Sequence, residues 1–208
     1  MWMRVLVADD HPLFRTALQT AVRRAEPAAE VFEAGTVAEA LATLKAHRVD
    51  LALLDLAMSD AQAMSGLMAL RASHPDVPVI VVSAHEDTQT IQRARACGAA
   101  HYVSKSAPLD HVVQAIRGVL MGDTAPLPEG EALAANDPAA RVASLTPAQL
   151  RVLMGIAEGR LNKQIAYDMN ISEATVKAHV TAIFRKLQVV NRTQALLAAK
   201  DVLLAPVG

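Results

Sequence analysis

Asp9 and Asp10 in "VLVADDHPLFR", Asp55 in "DLALLDLAM", Ser83 in "VIVVSAHED" and Lys105 in "GAAHYVSK" each follow directly on an apolar run. Three carboxylates in one place repel one another unless a cation neutralises them. An all-oxygen set with few protein ligands is the kind Mg2+ accepts, because that ion keeps several of its waters. A hydroxyl and an ammonium beside such a set suit a phosphoryl group, Ser83 by hydrogen bond and Lys105 as a point charge. With a divalent cation next to it, a carboxylate can act as a nucleophile and form an aspartyl phosphate. Asp55 stands out among these acids. Its position in "VDLALLDLAMSD" is one where the pattern leads to another valine or leucine, and an unpartnered buried carboxylate is costly.

These residues converge only if the chain supplies the right frame. Short β-branched runs alternate with helical patterns: "MRVLVA", a helix over about 12–24, "EVFEAG", a helix over about 37–46, and "DLALLD". A helix over about 64–73, "VPVIVVS", a helix over about 87–97, "AHYVS" and a helix over about 108–121 complete the series. Five strands alternating with five helices predict an α/β doubly wound, five-stranded parallel sheet of the flavodoxin-like kind, with right-handed crossovers. In such a sheet, ligands bind outside the carboxyl ends of the strands, and all five chemically marked positions fall there.

Residues 122–144 lose this periodicity and carry three prolines and two glycines, the composition of a linker. Beyond them, Thr146 is placed to cap a helix entered at Pro147 and stopped at Gly159. A short helix over about 162–168, a helix "EATVKAHVTAIFRKL" capped by Ser172, and a last helix over about 193–203 follow. The halves differ in charge: residues 1–144 hold 12 Lys+Arg against 17 Asp+Glu, whereas residues 145–208 hold 8 against 4. A basic module of four short helices is a candidate for the phosphate backbone of nucleic acid. Within "EATVKAHVTAIFRKL", Val176, Val180, Ile183, Phe184 and Leu187 form one apolar face, leaving Lys177, Ala178, Thr181 and Arg185 outward. Lysine can read guanine or neutralise phosphate, while alanine and the threonine methyl can touch thymine.

The quoted stretches of the first half resemble the receiver domain of two-component response regulators, over residues 1–121. The stretch "LTPAQLRVLMGIAEGRLNKQIAYDMNISEATVKAHVTAIFRKLQVVNRTQA" is similar to the LuxR-type helix-turn-helix of NarL/FixJ response regulators, over about residues 145–203 in a domain expected to span 145–208. The first resemblance implies that Asp55 is the phosphoacceptor, that Asp9, Asp10, Asp55 and the carbonyl of Ala57 hold Mg2+, that Ser83 and Tyr102 form a switch pair, and that Lys105 contacts phosphate. The second implies base contacts from Lys177, Ala178 and Thr181, backbone contacts from Lys163, Thr175, Arg185 and Arg192, and a homodimer through the last helix on double-stranded promoter DNA. Together they imply a sensor histidine kinase as partner and a DNA-binding regulator rather than an enzyme. The unphosphorylated receiver is expected to mask the recognition helix or the last helix.

Several residues depart from the family pattern. Met-Pro-Gly usually follows the nucleophile, and here Met58, Ser59 and Asp60 stand there, with Ala63 at a later glycine position. Asp60 is expected to add a charge near the mouth of the site. Ser106 replaces a common proline, and Gln149 replaces a glutamate of the first DNA-domain helix. The altered loop leaves open a receiver that ignores phosphate and serves only as a dimerisation module. A phosphatase or small flavodoxin-like enzyme using the same carboxylates is a further alternative, opposed by the lack of an evident general acid beside Asp55. Simpler roles also exist: Asp9 and Asp10 as helix caps, Lys105 as a surface charge, Tyr102 as packing, His11 and His85 as bystanders. The apolar runs are far shorter than the roughly 20 residues of a membrane span, and the N-terminus lacks a signal-peptide layout, so no membrane and a cytoplasmic location are expected. The single Cys97 excludes an internal disulfide and fits a reducing compartment.

Overall fold

Valine, leucine and isoleucine dominate the three central segments of five that pair side by side, which is what strands covered on both faces require. The computed structural model describes residues 2–61, 64–122, 141–142 and 144–203. The strands are β1 (Arg4–Ala8), β2 (Glu30–Ala34), β3 (Leu51–Leu54), β4 (Val79–Ser83) and β5 (His101–Ser104). Between and after them run α1 (Pro12–Ala25), α2 (Val37–Ala46), α3 (Ser65–Ser73), α4 (Thr88–Ala96) and α5 (Leu109–Leu120). All pairings are parallel, in the order β2-β1-β3-β4-β5. The chain moves outward from β1 in one direction to β2 and in the other to β3, so the switch point lies between β1 and β3.

Alternation along the central strands sends side chains to two separate cores. Val5, Val7, Leu51, Leu53, Ile80 and Val82 pack with Leu18, Val22 and Ile116 of α1 and α5. Leu6, Ala52, Leu54 and Val81 face the opposite layer, with Ala40, Leu67 and Ala94 of α2, α3 and α4. Met58, Met64 and Met68 are buried in that second layer, as expected for packing residues. Aliphatic side chains do nearly all of this work, in keeping with an aromatic content of 3%.

The second half folds as α6 (Pro147–Ala157), α7 (Asn162–Met169), α8 (Glu173–Leu187) and α9 (Arg192–Leu203). Thr146 and Gln149 close a reciprocal capping box at the start of α6. Asn170 turns the chain between α7 and α8 at a φ of 52°, a left-handed conformation that asparagine tolerates. Gly155 lets α6 and α7 cross closely, since a Cβ there would lie 2.8 Å from Ile165 Cγ1. The segment expected to be a linker lies outside the described residues except for 122, 141, 142 and 144, and Ala63 lies outside them too.

Helix α3 packs against α6, and Val142, Leu145 and Leu150 continue the α2–α4 core into that of the second half. The recognition helix is turned elsewhere: Lys177, Ala178, Thr181 and Arg185 are all exposed. The masking expected from sequence is therefore absent for these four side chains. The helix that docks is α6, whose Leu150 and Met154 lie beside Met68 and Ala69 of α3.

Candidate functional site

The carboxyl ends of β1 and β3 lie side by side in the sheet, Ala8 opposite Leu54. The next residue of each strand is an aspartate, and Asp55 N donates to Ala8 O at 2.9 Å. This places the Asp9 and Asp55 carboxylates at the switch point, both essentially buried. The apparent misfit in "DLALLD" is resolved by register: Asp55 ends its strand opposite the loop that carries Asp9.

Lys105 arrives from the end of β5, its own N–H donating to Ser83 O at 2.7 Å. Its Nζ lies 2.7 Å from Asp55 Oδ2 and 2.6 Å from Asp9 Oδ2, so one ammonium bridges two buried carboxylates. It also sits 4.7 Å from the centroid of the Phe14 ring, within cation–π range. Lys105 is thus no solvated surface charge. Its aliphatic stem and Phe14 shield the pair, and desolvation strengthens the attraction.

Three carboxylates face a single ammonium. Asp9 Oδ1 accepts from His11 N at 2.8 Å, whereas Asp9 Oδ2 and Asp10 Oδ1 are buried without a well-directed hydrogen bond. Their close neighbours are instead the Lys105 ammonium for the first and the ring Nδ1 of His11, at 2.6 Å, for the second. The capping alternative fails, because His11 occupies the N-cap of α1 and no side chain caps that helix. Ligand atoms of Asp9, Asp10, His11 and Asp55 all lie within 4.8 Å of one another. Buried acceptor oxygens in excess of donors are what a divalent cation satisfies. His11 therefore belongs to this cluster, contrary to its expected role as a bystander; sequence spacing gave no sign, since only the turn before α1 aims its ring at Asp10.

On the far side, Ser83 is fully buried at the end of β4, and its Oγ accepts weakly from His85 N at 3.4 Å. Tyr102 points inward, its hydroxyl donating to His85 O at 2.7 Å, and burial pushes the phenol up from its usual range. A further network joins Ser104 and Ser106 to Glu86: Ser104 Oγ donates to Glu86 Oε1 at 2.5 Å and Ser106 Oγ donates to the same oxygen. Those hydroxyls hold the Glu86 carboxyl below its ordinary range. Ser106, where the family often has proline, thereby ties the end of β5 to the β4–α4 loop.

Sequence inspection did not single out Phe14 or Arg15. Arg15 donates to Asp9 O at 2.6 Å and to Glu33 at 3.2 Å, bracing the loop after β1 against β2. Both lie one turn into α1 from the paired acids, and that helical spacing was the available signal. Asp60 needs a correction: its carboxylate does not add charge at the mouth but accepts from Val37 N at 2.8 Å and Ala38 N at 3.0 Å. The start of α2 presents those donors, and an anion is favoured there.

In the second half, Ser172 caps α8 through Thr175 N at 3.0 Å, and the exposed face of α8 carries the four residues expected there. Val176, Ile183 and Leu187 are buried, and Val180 and Phe184 pack on them. Lys163 and Thr175 are exposed as well. Arg192 is more constrained, donating to Asn162 Oδ1 at 3.1 Å and to Arg160 O, which ties α9 to the start of α7. Gln149, in place of the family's glutamate, accepts at its Oε1 from Thr146 N at 3.0 Å and from Lys186 Nζ at 2.9 Å.

Comparison with known proteins agrees with both halves. Residues 5–117 match the response regulator receiver domain, and residues 143–199 match the bacterial regulatory proteins of the luxR family. A glycerol metabolism activator of Pseudomonas putida is 39% identical over 211 residues, covering 96% of each chain. The receiver domain of the response regulator NarL from Mycobacterium tuberculosis superposes with a TM-score of 0.53 at 33% identity, covering 58% of this chain and 98% of that one. The response regulator RcsB, solved in complex with DNA, shares the fold with a TM-score of 0.57 at 19% identity, covering 97% of this chain and 100% of that one. A parallel sheet with buried acids at its switch point, followed by an exposed recognition helix on a LuxR-type domain, makes this chain a transcriptional response regulator of the NarL/FixJ type.

Proposed function

We propose that a sensor histidine kinase phosphorylates Asp55 and that the modification controls dimerisation on promoter DNA and transcription. The observation that carries this is the Lys105 ammonium held on the buried carboxylates of Asp55 and Asp9, with the Asp10 carboxylate beside them. Asp9, Asp10, Asp55 and the Ala57 carbonyl would hold Mg2+, which when bound neutralises the carboxylates and the incoming phosphoryl charge. An Asp55 oxygen forms the new P–O bond as the P–N bond of the kinase phosphohistidine breaks. Lys105 then turns from a carboxylate counter-ion into a contact for the phosphoryl oxygens. Ser83 donates its hydroxyl to the same group, and Tyr102 follows the position of Ser83 as the switch partner. The chain turns over no substrate in this scheme, and it acts in the cytoplasm. Incubating the protein with acetyl phosphate and Mg2+ should add one phosphoryl group by intact mass, absent in Asp55→Asn; no gain in the unaltered protein would sink the proposal.

In the second unit, here taken as residues 145–208 after a receiver of 1–121 and a linker of 122–144, α8 enters the major groove. Lys177, Ala178 and Thr181 meet base edges, while Lys163, Thr175, Arg185 and Arg192 meet the backbone. A homodimer through α9 then matches a two-fold site. The relative's name makes promoters of glycerol metabolism the first to footprint. The open recognition face favours a second reading, in which the receiver only dimerises and DNA binding ignores phosphate. Fluorescence anisotropy at fixed salt, with and without phosphoryl donor, separates the two.

A further inference from the structure

The loop between Asp55 and α3 lacks the Pro-Gly pair that pre-bends it in the family, yet its ends are held. Met58 O accepts from Ala61 N at 3.1 Å, closing a turn with Asp60 inside it. From this turn the Asp60 carboxylate reaches 23 residues back along the chain to Val37 N and Ala38 N. Thr36 supplies the remaining acceptors at the start of α2, its Oγ1 for Glu39 N at 3.1 Å and its carbonyl for Ala40 N at 3.0 Å. The amides of Val37, Ala38 and Glu39, which have no partner within the helix, are therefore satisfied by side chains, two of them by the loop. At the loop's other end Gly66 lies against the same residue, since a Cβ there would stand 2.9 Å from Val37 Cγ2. Asp60 in the middle of the loop and Gly66 in the first turn of α3 thus both meet Val37.

Ala57 lies between Asp55 and this double attachment, and its N–H donates to Asp55 Oδ1 at 3.2 Å. Only Met58 and Ser59 separate it from Asp60, and the turn closed by Met58 O begins at the very next residue. We infer that Asp60 is a positioning residue for metal-assisted phosphorylation: by clamping the β3–α3 loop to α2 it holds the Ala57 carbonyl toward the acidic cluster, replacing the pre-bent proline turn. This rests on the phosphoacceptor role of Asp55 given above, and it adds a residue that touches neither metal nor phosphate. A carboxylate on a helix terminus does what ring stiffness does elsewhere, fixing a turn through charge rather than through a locked φ.

The test uses the full chain and Mn2+ as probe, with free ion counted by electron paramagnetic resonance, alongside melting temperature and acetyl phosphate labelling. Asp60→Ala should weaken Mn2+ binding about tenfold, the lower end of what loss of a supporting contact costs at a metal site. Asp60→Asn, which keeps one acceptor, should fall between. Thr36→Ala weakens the same helix end without touching the loop, and should lower the melting temperature while leaving Mn2+ affinity unchanged. Unchanged affinity in Asp60→Ala, or equal loss in Thr36→Ala, overturns the inference; if Asp60→Ala does not fold, Asp60→Asn is held to the same criterion. Labelling that survives Asp55→Asn would instead overturn the phosphoacceptor role, leaving the metal measurement to be judged by itself.

Discussion

Lys105 is the residue on which the receiver's electrostatics turn, because its single charge stands between two buried carboxylates. Removing one partner of a buried ion pair typically costs about 3–5 kcal/mol, since the remaining charges are left uncompensated. Lys105→Ala should therefore lower the melting temperature in chelator, and millimolar Mg2+ should recover much of the loss; a thermal melt in both buffers checks this, and no metal response would show that the acids do not share a cation. Cys97 offers a second measurement at this scale. Burial pushes its thiol up to about 12, so it stays protonated across the physiological range. Iodoacetamide at pH 8 should leave the native protein unmodified and add one group once denaturant exposes the residue, as mass spectrometry will report.

Helices α6 and α8 are joined by a contact that follows from one substitution. Gln149 serves both its own capping box and Lys186, whose Nζ also donates to Ser144 O at 2.6 Å. Gln149→Glu would turn the Lys186 contact into an ion pair, and such partly exposed pairs contribute roughly 0.2–1 kcal/mol. The variant should melt slightly higher at low salt, with the gain shrinking as salt is added. The close crossing of α6 and α7 works in the opposite sense. Gly155→Val inserts atoms where Ile165 already sits, and overpacking of this kind costs about 1–3 kcal/mol. Its DNA-binding half should melt earlier in calorimetry while Asp55 phosphorylation proceeds unchanged.

The two halves meet through α3 and α6, and Ala69 of α3 lines the seam with Met154 and Met169. A glutamate at Ala69 would force a longer, charged side chain into that closely packed seam, where Glu158 and Asp168 already lie, and separate the halves. Small-angle scattering should show a larger radius of gyration for Ala69→Glu. Because the recognition face is already exposed in the docked arrangement, its affinity for DNA in the absence of phosphate should not rise. A strong rise would show that docking, rather than dimerisation, restrains DNA binding.

Strand count, parallel order of the acids and the apolar face of α8 were legible in the sequence because periodicity and burial are local: each follows from residues a few positions apart. Asp9, Asp55, Ser83 and Lys105 could be grouped for the same reason, since topology sends every strand's carboxyl end to one edge. The sequence could not show that Lys105 would take both carboxylates, that His11 would turn onto Asp10, or that Asp60 would leave the mouth of the site to cap α2. Nor could it show that α6 rather than the recognition helix would dock on α3. Those outcomes depend on distances between segments far apart in the chain, where several charged or apolar partners compete. Only the assembled sheet, with its register fixed and its helices crossing at given points, decides which of them is near enough to win.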